Sequence, residues 1–294
     1  MPATTGEPAS AGELAARLAE VGYLTDEALA TALFLAVAMA QPILLEGEPG
    51  VGKTEAAKSL ARALDTELIR LQCYEGLSSA DALYEWNYPR QLLGIRLAEA
   101  RGEKLSEADL FREEYLLARP LLAAIEHPGP RPAVLLIDEV DRADDEFEAF
   151  LLELLAEATV TIPELGTRRA RFRPLTVLTS NRTRELHDAL KRRCLYHWIA
   201  HPDVDRVAAI IRLRVPGVAG WLASRVARSV QVLRGLELYK PPGVAEAINW
   251  ANALHVLGIS TMDSSAVRQT MSAVLKYSED RVIAEDSLAE VAGE

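Results

Sequence analysis

Cysteine is scarce: two in 294 residues, Cys73 and Cys194, far apart and outside any CxxC pair. That excludes a disulfide framework and a thiolate zinc centre, and leaves both as small apolar fillers suited to a reducing compartment. Long hydrophobic runs are missing too. The most apolar stretch, Ala28 to Ala40, falls short of the ~20 residues that cross a bilayer and is expected to form a buried helix. Met1 to Ala11 has neither a basic region nor an apolar signal core, so it is expected to be a disordered tail (1–12) rather than a secretion signal. The expected location is cytoplasmic. Positive charge is also short, with 32 basic against 43 acidic residues and a net charge of −11. A general nucleic-acid coat needs a basic surface, so that class is disfavoured, although a local basic channel stays open.

What remains is ordinary globular material, 49% hydrophobic and 26% charged, enough for one large domain or two modest ones. Within it lies Gly47-Glu48-Pro49-Gly50-Val51-Gly52-Lys53-Thr54, between the apolar run Pro42–Leu45 and a helix-forming segment starting at Glu55. Strand, glycine-rich loop and helix in this order are what a phosphate-binding loop requires. The glycines let backbone N–H groups close on a phosphate, and the helix adds its positive dipole end. Lys53 would bridge the β- and γ-phosphates while the Thr54 hydroxyl ligates Mg²⁺. Glu55 follows directly and belongs to the same candidate set. The motif predicts a nucleoside triphosphate as ligand.

Five runs are nearly continuously apolar: Ile43–Leu45, Leu68–Leu71, Val134–Ile137, Leu175–Leu178 and Tyr196–Ile199. Such runs fit strands buried on both faces of a parallel sheet, and the helical patterns between them predict a doubly wound α/β class. Ligands of such sheets sit at the carboxyl ends of the strands. The segment from Gln72 to Leu117 is too long for a simple connection and is expected to carry its own secondary structure. Alternation about Gly166, running into Arg168, Arg169, Arg171 and Arg173, predicts a β-hairpin over about 159–173. Beyond His201-Pro202 only helical patterns remain, broken at Pro216-Gly217 and at Lys240-Pro241-Pro242-Gly243. The expected organisation is therefore an α/β domain over 13–201, with an insert at about 77–117, and a helical domain over 202–294.

Chemistry gathers at the strand ends. Val134–Ile137 runs into Asp138 and Glu139, an acid to hold Mg²⁺ and an acid to polarise an attacking water. Asn181 ends the next run, where its amide could bond the γ-phosphate or that water; an asparagine there is equally a common turn residue. Arg192 and Arg193 lie before the fifth run, either as a solvated helix end or as a cation reaching a neighbouring subunit's phosphate. The acids from Asp141 to Glu148 are expected to form the exposed face of a core helix. Trp86, with Tyr84 and Tyr88, is expected either to grip a partner or to pack the insert. The hairpin arginines are expected to pair with neighbouring acids, or else to meet an acidic partner or the phosphate backbone of nucleic acid.

GEPGVGKT, LLIDEVDRADDEFEAFLLELL, LTSN and LHDALKRRC, in that order and followed by a helical domain, resemble an AAA+ ATPase. With LQCYEG, YEWNYP and TRELHD, the chain resembles the MoxR family and within it the CoxD-type members. The resemblance spans about Leu14 to Tyr277. It implies ATP and Mg²⁺ as cofactors and a homo-oligomeric ring, usually hexameric. The 77–117 segment would be the helix-2 insert, the arginine hairpin the pre-sensor-1 insert, and the C-terminal helices a lid. Asn181 would be sensor 1, and Arg193, then Arg192, the arginine finger. It further implies a partner with a von Willebrand A domain and a client protein or metalloenzyme to be remodelled, activated or loaded with metal.

One departure stands out. Many MoxR proteins carry a sensor-2 arginine at the start of the lid helix, and here that stretch is Tyr239-Lys240-Pro241-Pro242-Gly243-Val244-Ala245-Glu246. Lys240 is the candidate replacement, without the bidentate fork of arginine. Tyr23, in Gly22-Tyr23-Leu24, is the candidate for facing adenine. Two other classes remain, a nucleic-acid motor of the same superfamily and a nucleotide-gated scaffold with incidental hydrolysis.

Overall fold

A computed structural model describes residues 8–293. Residues 1–7 of the expected tail lie outside them. A helix, Ala11–Glu20, begins inside the remainder of that stretch. Its start is closed by Ser10, whose hydroxyl accepts from the Glu13 N–H at 3.1 Å, while the Glu13 carboxylate accepts from the Ala9 N–H at 2.7 Å. Ser10-Ala11-Gly12-Glu13 is thus a helix-start signal of the S-x-x-E kind, hidden in the sequence by the small residues around it.

The chain forms an α/β fold. Its main sheet holds β1 (Ile43–Gly47), β2 (Leu68–Gln72), β5 (Val134–Asp138), β8 (Leu175–Ser180) and β9 (Leu195–Ile199) in the order β2-β5-β8-β1-β9. All five expected strands are present. Parallel pairing sets Glu46 opposite Ser180 and Gln72 opposite Asp138, so the strands finish level and their carboxyl ends form one rim. The three central strands are buried throughout, as double coverage by helices demands. The outer two depart from the expectation of full burial. On β9, Tyr196 and Trp198 are exposed, and on β2 only Leu71 is buried. Edge strands lack a neighbour on one side, so their apolar content overstated their burial.

The chain divides into two compact units. The first comprises 8–14, 27–46 and 60–197. Its core joins Leu44, Leu135, Ile137 and Leu178 of the sheet to Phe147, Leu151 and Leu154 of helix Asp145–Glu157. The long insertion does carry its own structure. A two-stranded ladder of β3 (Tyr84–Trp86) with β4 (Leu116–Ala118) flanks helix Tyr88–Arg101. Trp86 is buried there, meeting Tyr84 and Phe111 edge-on at 6.0 and 5.1 Å between centroids, so it packs the insert, and Tyr88 alone of the trio stands out in solvent. The arginine hairpin is β6 (Thr159–Ile162) paired with β7 (Gly166–Arg169). Arg168 pairs with Glu113 and Glu126, and Arg173 bonds the Leu155 carbonyl although it is exposed, as are Arg169 and Arg171.

The second unit comprises 15–26, 47–59 and 198–293. Helices Val204–Arg214, Gly220–Gly235, Val244–Val256 and Ser264–Val274 close around Trp250, whose indole N–H donates to the Thr270 hydroxyl at 2.7 Å. The helix breaks fall where the prolines and glycines predicted them. Among the described residues no helix is long and apolar enough to cross a membrane.

Candidate active site

Within the second unit, the loop after β1 turns through Gly50 at φ 83° and Gly52 at φ 99°. Both angles lie in the left-handed region open to glycine at little cost. Helix Lys53–Ala63 starts immediately, its first turn closed by the Ala56 N–H on the Gly52 carbonyl at 2.9 Å. Lys53 is buried, and its ammonium donates to the Gly47 and Glu48 carbonyls at 2.7 and 2.8 Å. The positive group is therefore held inside the curve of its own loop. Val51 is buried beneath the loop, whereas Glu48, Pro49 and Gly50 are exposed along it. Thr54 lies in the first turn of the helix, half-buried. Glu55, one residue on, is engaged by Arg214 at 3.0 Å.

Lid residues of the same unit hold this loop from two sides. The Val244 N–H donates to the Gly50 carbonyl at 3.1 Å, and a Cβ on Gly243 would stand 2.9 Å from the Gly50 Cα. Arg234 donates to the Pro242 carbonyl at 3.0 Å and forms an ion pair with Glu48. Lys240, the expected lid cation, is exposed, and its backbone N–H is bonded to Asp280. The arginine that does reach the loop, Arg234, lies in the last turn of the preceding helix, where a basic residue looks like an ordinary helix end and only its distant partner Glu48 marks it out. His201 lies beside this pair. Burial first, and then the Arg234 charge, hold its imidazole below the usual range. The Tyr23 ring lies against Gly52, its hydroxyl 3.5 Å from the Gly52 carbonyl. Desolvation first, then Asp26 and Glu55, raise that phenol above its ordinary value.

Within the first unit, Asp138 and Glu139 end β5. Asp138 is 2% exposed. Its Oδ1 accepts from the Thr179 hydroxyl at 2.6 Å, and its Oδ2 accepts from Arg70 on β2 through Nη2 at 2.6 Å and Nε at 3.0 Å. Thr179 Oγ1 also accepts from the Glu139 N–H at 2.9 Å, locking the two strand ends together. Glu139 takes φ 55°, a left-handed conformation that a non-glycine residue adopts at a cost of about 1 kcal/mol or more. Glu139, Asp141, Asn181, Thr183 and Arg184 line one cavity of about 940 Å³, so the two expected water-handling residues, Glu139 and Asn181, share a space. Asp141 underlies it. Its Oδ2 accepts from the N–H groups of Asn181 and Thr183 at 3.2 and 2.8 Å and from the Thr183 hydroxyl at 2.7 Å.

The acidic run is thus only partly the solvated face expected of it. Asp145 and Glu146 are exposed, and Asp144 caps the helix. Asp141 and Glu148 are buried, Glu148 in an ion pair with Arg184 and accepting from the His187 N–H at 3.0 Å. Arg193 lines a different groove, with Met39, Pro42 and Arg173, and Arg192 beside it is exposed. Both cysteine thiols are pushed up to about 12 by burial, as inert fillers would be. The sequence reading missed Arg70, Thr179, Asp141, Gly243 and Arg234. Of these, Asp141 had a visible signal, a third acid three residues after the strand-ending Asp138.

A family model described as AAA domain (dynein-related subfamily) matches residues 42–194, just over half of the chain. The chain belongs to this AAA family. Lon protease of Halothermothrix orenii is 35% identical over 122 residues, and Lon protease of Mycolicibacterium smegmatis 32% over 123. Those matches cover 39% and 40% of this chain but only 12% of either relative. Among solved structures, two point mutants of Thermotoga maritima RuvB align over 98% and 99% of this chain and 86% of theirs, with TM-scores of 0.53 and 0.52. At 18% and 19% identity these show a shared fold.

The AAA assignment frames the donor chemistry for Mg²⁺. Thr54 and Asp138 offer a hydroxyl and a carboxylate, both hard oxygen donors. Among the described residues no group of three or more His, Cys, Asp or Glu is placed to hold a metal.

Proposed function

We propose that this AAA protein is an Mg²⁺-dependent ATPase of the MoxR type, working as a cytoplasmic homo-oligomeric ring. What chiefly supports the reading is Lys53, buried and held against the carbonyls of its own glycine loop, the arrangement a triphosphate would exploit. On this reading 47–55 surround the phosphates, and Tyr23 borders the base. Thr54 and Asp138 hold the metal, which supplies charge neutralisation of the phosphates when bound. Glu139 takes the proton of the attacking water and Asn181 orients that water. Arg193, or Arg192, acts on the nucleotide of the adjacent subunit, in keeping with its place on a groove away from Glu139. Arg234 and Gly243 couple the C-terminal helices to the loop, and Lys240, on the exposed turn between them, reaches the γ-phosphate only once nucleotide is bound.

The work coupled to hydrolysis is remodelling, activation or metal loading of a client protein, beside a von Willebrand A domain partner. The insert offers a place for such contacts. Tyr88, Leu92, Leu93 and Leu97 stand exposed on helix Tyr88–Arg101. A nucleic-acid role gains little, because Arg168 and Arg173 of the hairpin are already bonded within the chain.

The test is ATP turnover per chain as a function of chain concentration, with sizing in parallel. A rate that climbs as the assembly forms is expected from a site completed in trans. A flat rate from a monomeric chain overturns the ring and the Arg193 assignment, and absence of nucleotide binding overturns the ATPase.

A further inference from the structure

Asp138 is a buried carboxylate with both oxygens engaged and a guanidinium on one of them. Arg70 comes from the neighbouring strand, two residues before Gln72, the residue in register with Asp138. The side-chain carbonyl of Gln72 also accepts from Arg70, so the guanidinium is bracketed between the two strand ends. Its own side chain is 43% exposed, whereas that of Asp138 is 2% exposed. The asymmetry matters. A carboxylate this deep needs a cation, since a buried charge stripped of its partner is strongly destabilising. An arginine on an edge strand can swing into water at small cost.

We propose that Arg70 is the resident counter-ion of Asp138, and that a divalent cation reaches Asp138 only by displacing it. Arg70 is then a positioning residue that sets the Mg²⁺ concentration at which the site fills. It satisfies Asp138 while the metal is absent, and would have to release Oδ2 for Asp138 to help hold a cation. This deepens the Mg²⁺-nucleotide reading and rests on it.

Three readouts test it on the full chain, using Arg70→Ala and Arg70→Lys. In EDTA, without nucleotide, Arg70→Ala should melt lower than wild type, and Mg²⁺ alone should recover more of the loss than it adds to wild type. Fluorescent ATP binding in EDTA should be alike in all three, since the glycine loop is untouched. Half-saturating Mg²⁺ for nucleotide binding should fall roughly tenfold in Arg70→Ala, the factor that a competitor worth ~1.4 kcal/mol imposes. Arg70→Lys, which keeps charge without the fork, should fall between, and it carries the test if the alanine variant does not fold. Equal or higher Mg²⁺ requirements in the variants, with nucleotide still bound, overturn the counter-ion role. Failure of wild type to bind nucleotide overturns the ATPase reading instead, and the melting comparison with Mg²⁺ alone then decides the Arg70 question.

Discussion

Asp141 accepts the backbone N–H of Asn181, so an acid three residues past one strand end fixes the loop that follows the neighbouring strand. With Thr183 donating twice more to the same oxygen, the carboxylate pins the Asn181 segment beside Glu139. Removing it takes the shared acceptor from two N–H groups and a hydroxyl that are partly open to water, a loss of about 0.5–1.5 kcal/mol per bond. Asp141→Ala is expected to lower ATP turnover by tenfold or more while nucleotide affinity changes little, because the glycine loop is untouched. Asp141→Asn keeps an acceptor and should recover part of the rate. Matched turnover and binding measurements check this; equal losses in both would mean general unfolding.

Glu139 holds a left-handed backbone, and its carboxylate, 3.6 Å from the Arg142 guanidinium, lines the cavity shared with Asn181. Glu139→Gln preserves size and backbone preference but cannot take a proton. Nucleotide binding should persist while turnover falls by roughly 10²-fold or more, the scale of a lost general base. Single-turnover hydrolysis beside equilibrium binding separates the two. Near wild-type hydrolysis would remove Glu139 from the chemistry.

The sheet was legible from the chain because strands buried on both faces are built mostly of apolar residues, with polar ones such as Glu46, Asp138 and Thr179 gathered at their carboxyl ends. The places of Asp138, Glu139 and Asn181 at strand ends, and the turn of the glycine loop, were legible because each follows one of those apolar runs. Arg70 and Arg234 were not. Each acts through a partner far along the chain, Asp138 and Glu48, and a lone arginine in sequence looks like any solvated one. The burial of Asp141 and Glu148 was hidden likewise, since their partners come from the loop after β8. The outer strands misled in the other direction. Apolar content reported their β-propensity, while their exposure followed from position at the sheet edge, a tertiary property.

Gly243 packs against Gly50 too closely for a side chain. Gly243→Ala puts a methyl group 2.9 Å from the Gly50 Cα, where backbone rather than a flexible side chain must move. The expected cost is about 1–3 kcal/mol, typical of overpacking, read as a lower melting temperature. Nucleotide binding should weaken with it, since the displaced backbone belongs to the phosphate loop. Arg234→Ala breaks the second lid contact without forcing the loop, and should change binding with a smaller loss of stability. Melting and nucleotide titration on both variants distinguish the two; unchanged binding in each would detach the lid from the loop.

His201 gives the pH dependence a definite sign. Its Nδ1 pairs with the Pro202 carbonyl at 2.9 Å, and its buried Nε2 has no hydrogen-bond partner among the described residues. Burial and the nearby Arg234 depress its pKa below the ordinary 6.5, only partly offset by Glu48 and the Pro202 bond. The unfolded chain therefore takes up a proton at this position before the folded chain does, and stability must rise with pH through that window. As pH drops below about 6.5, the histidine's contribution is lost progressively until the folded imidazole also protonates. His201→Gln removes the titration and should flatten the melting temperature between pH 7 and 5, other acids contributing equally in both proteins. A wild-type profile already flat over that range, or one unchanged by the substitution, would show that the Arg234 side of the loop accepts the extra charge without strain.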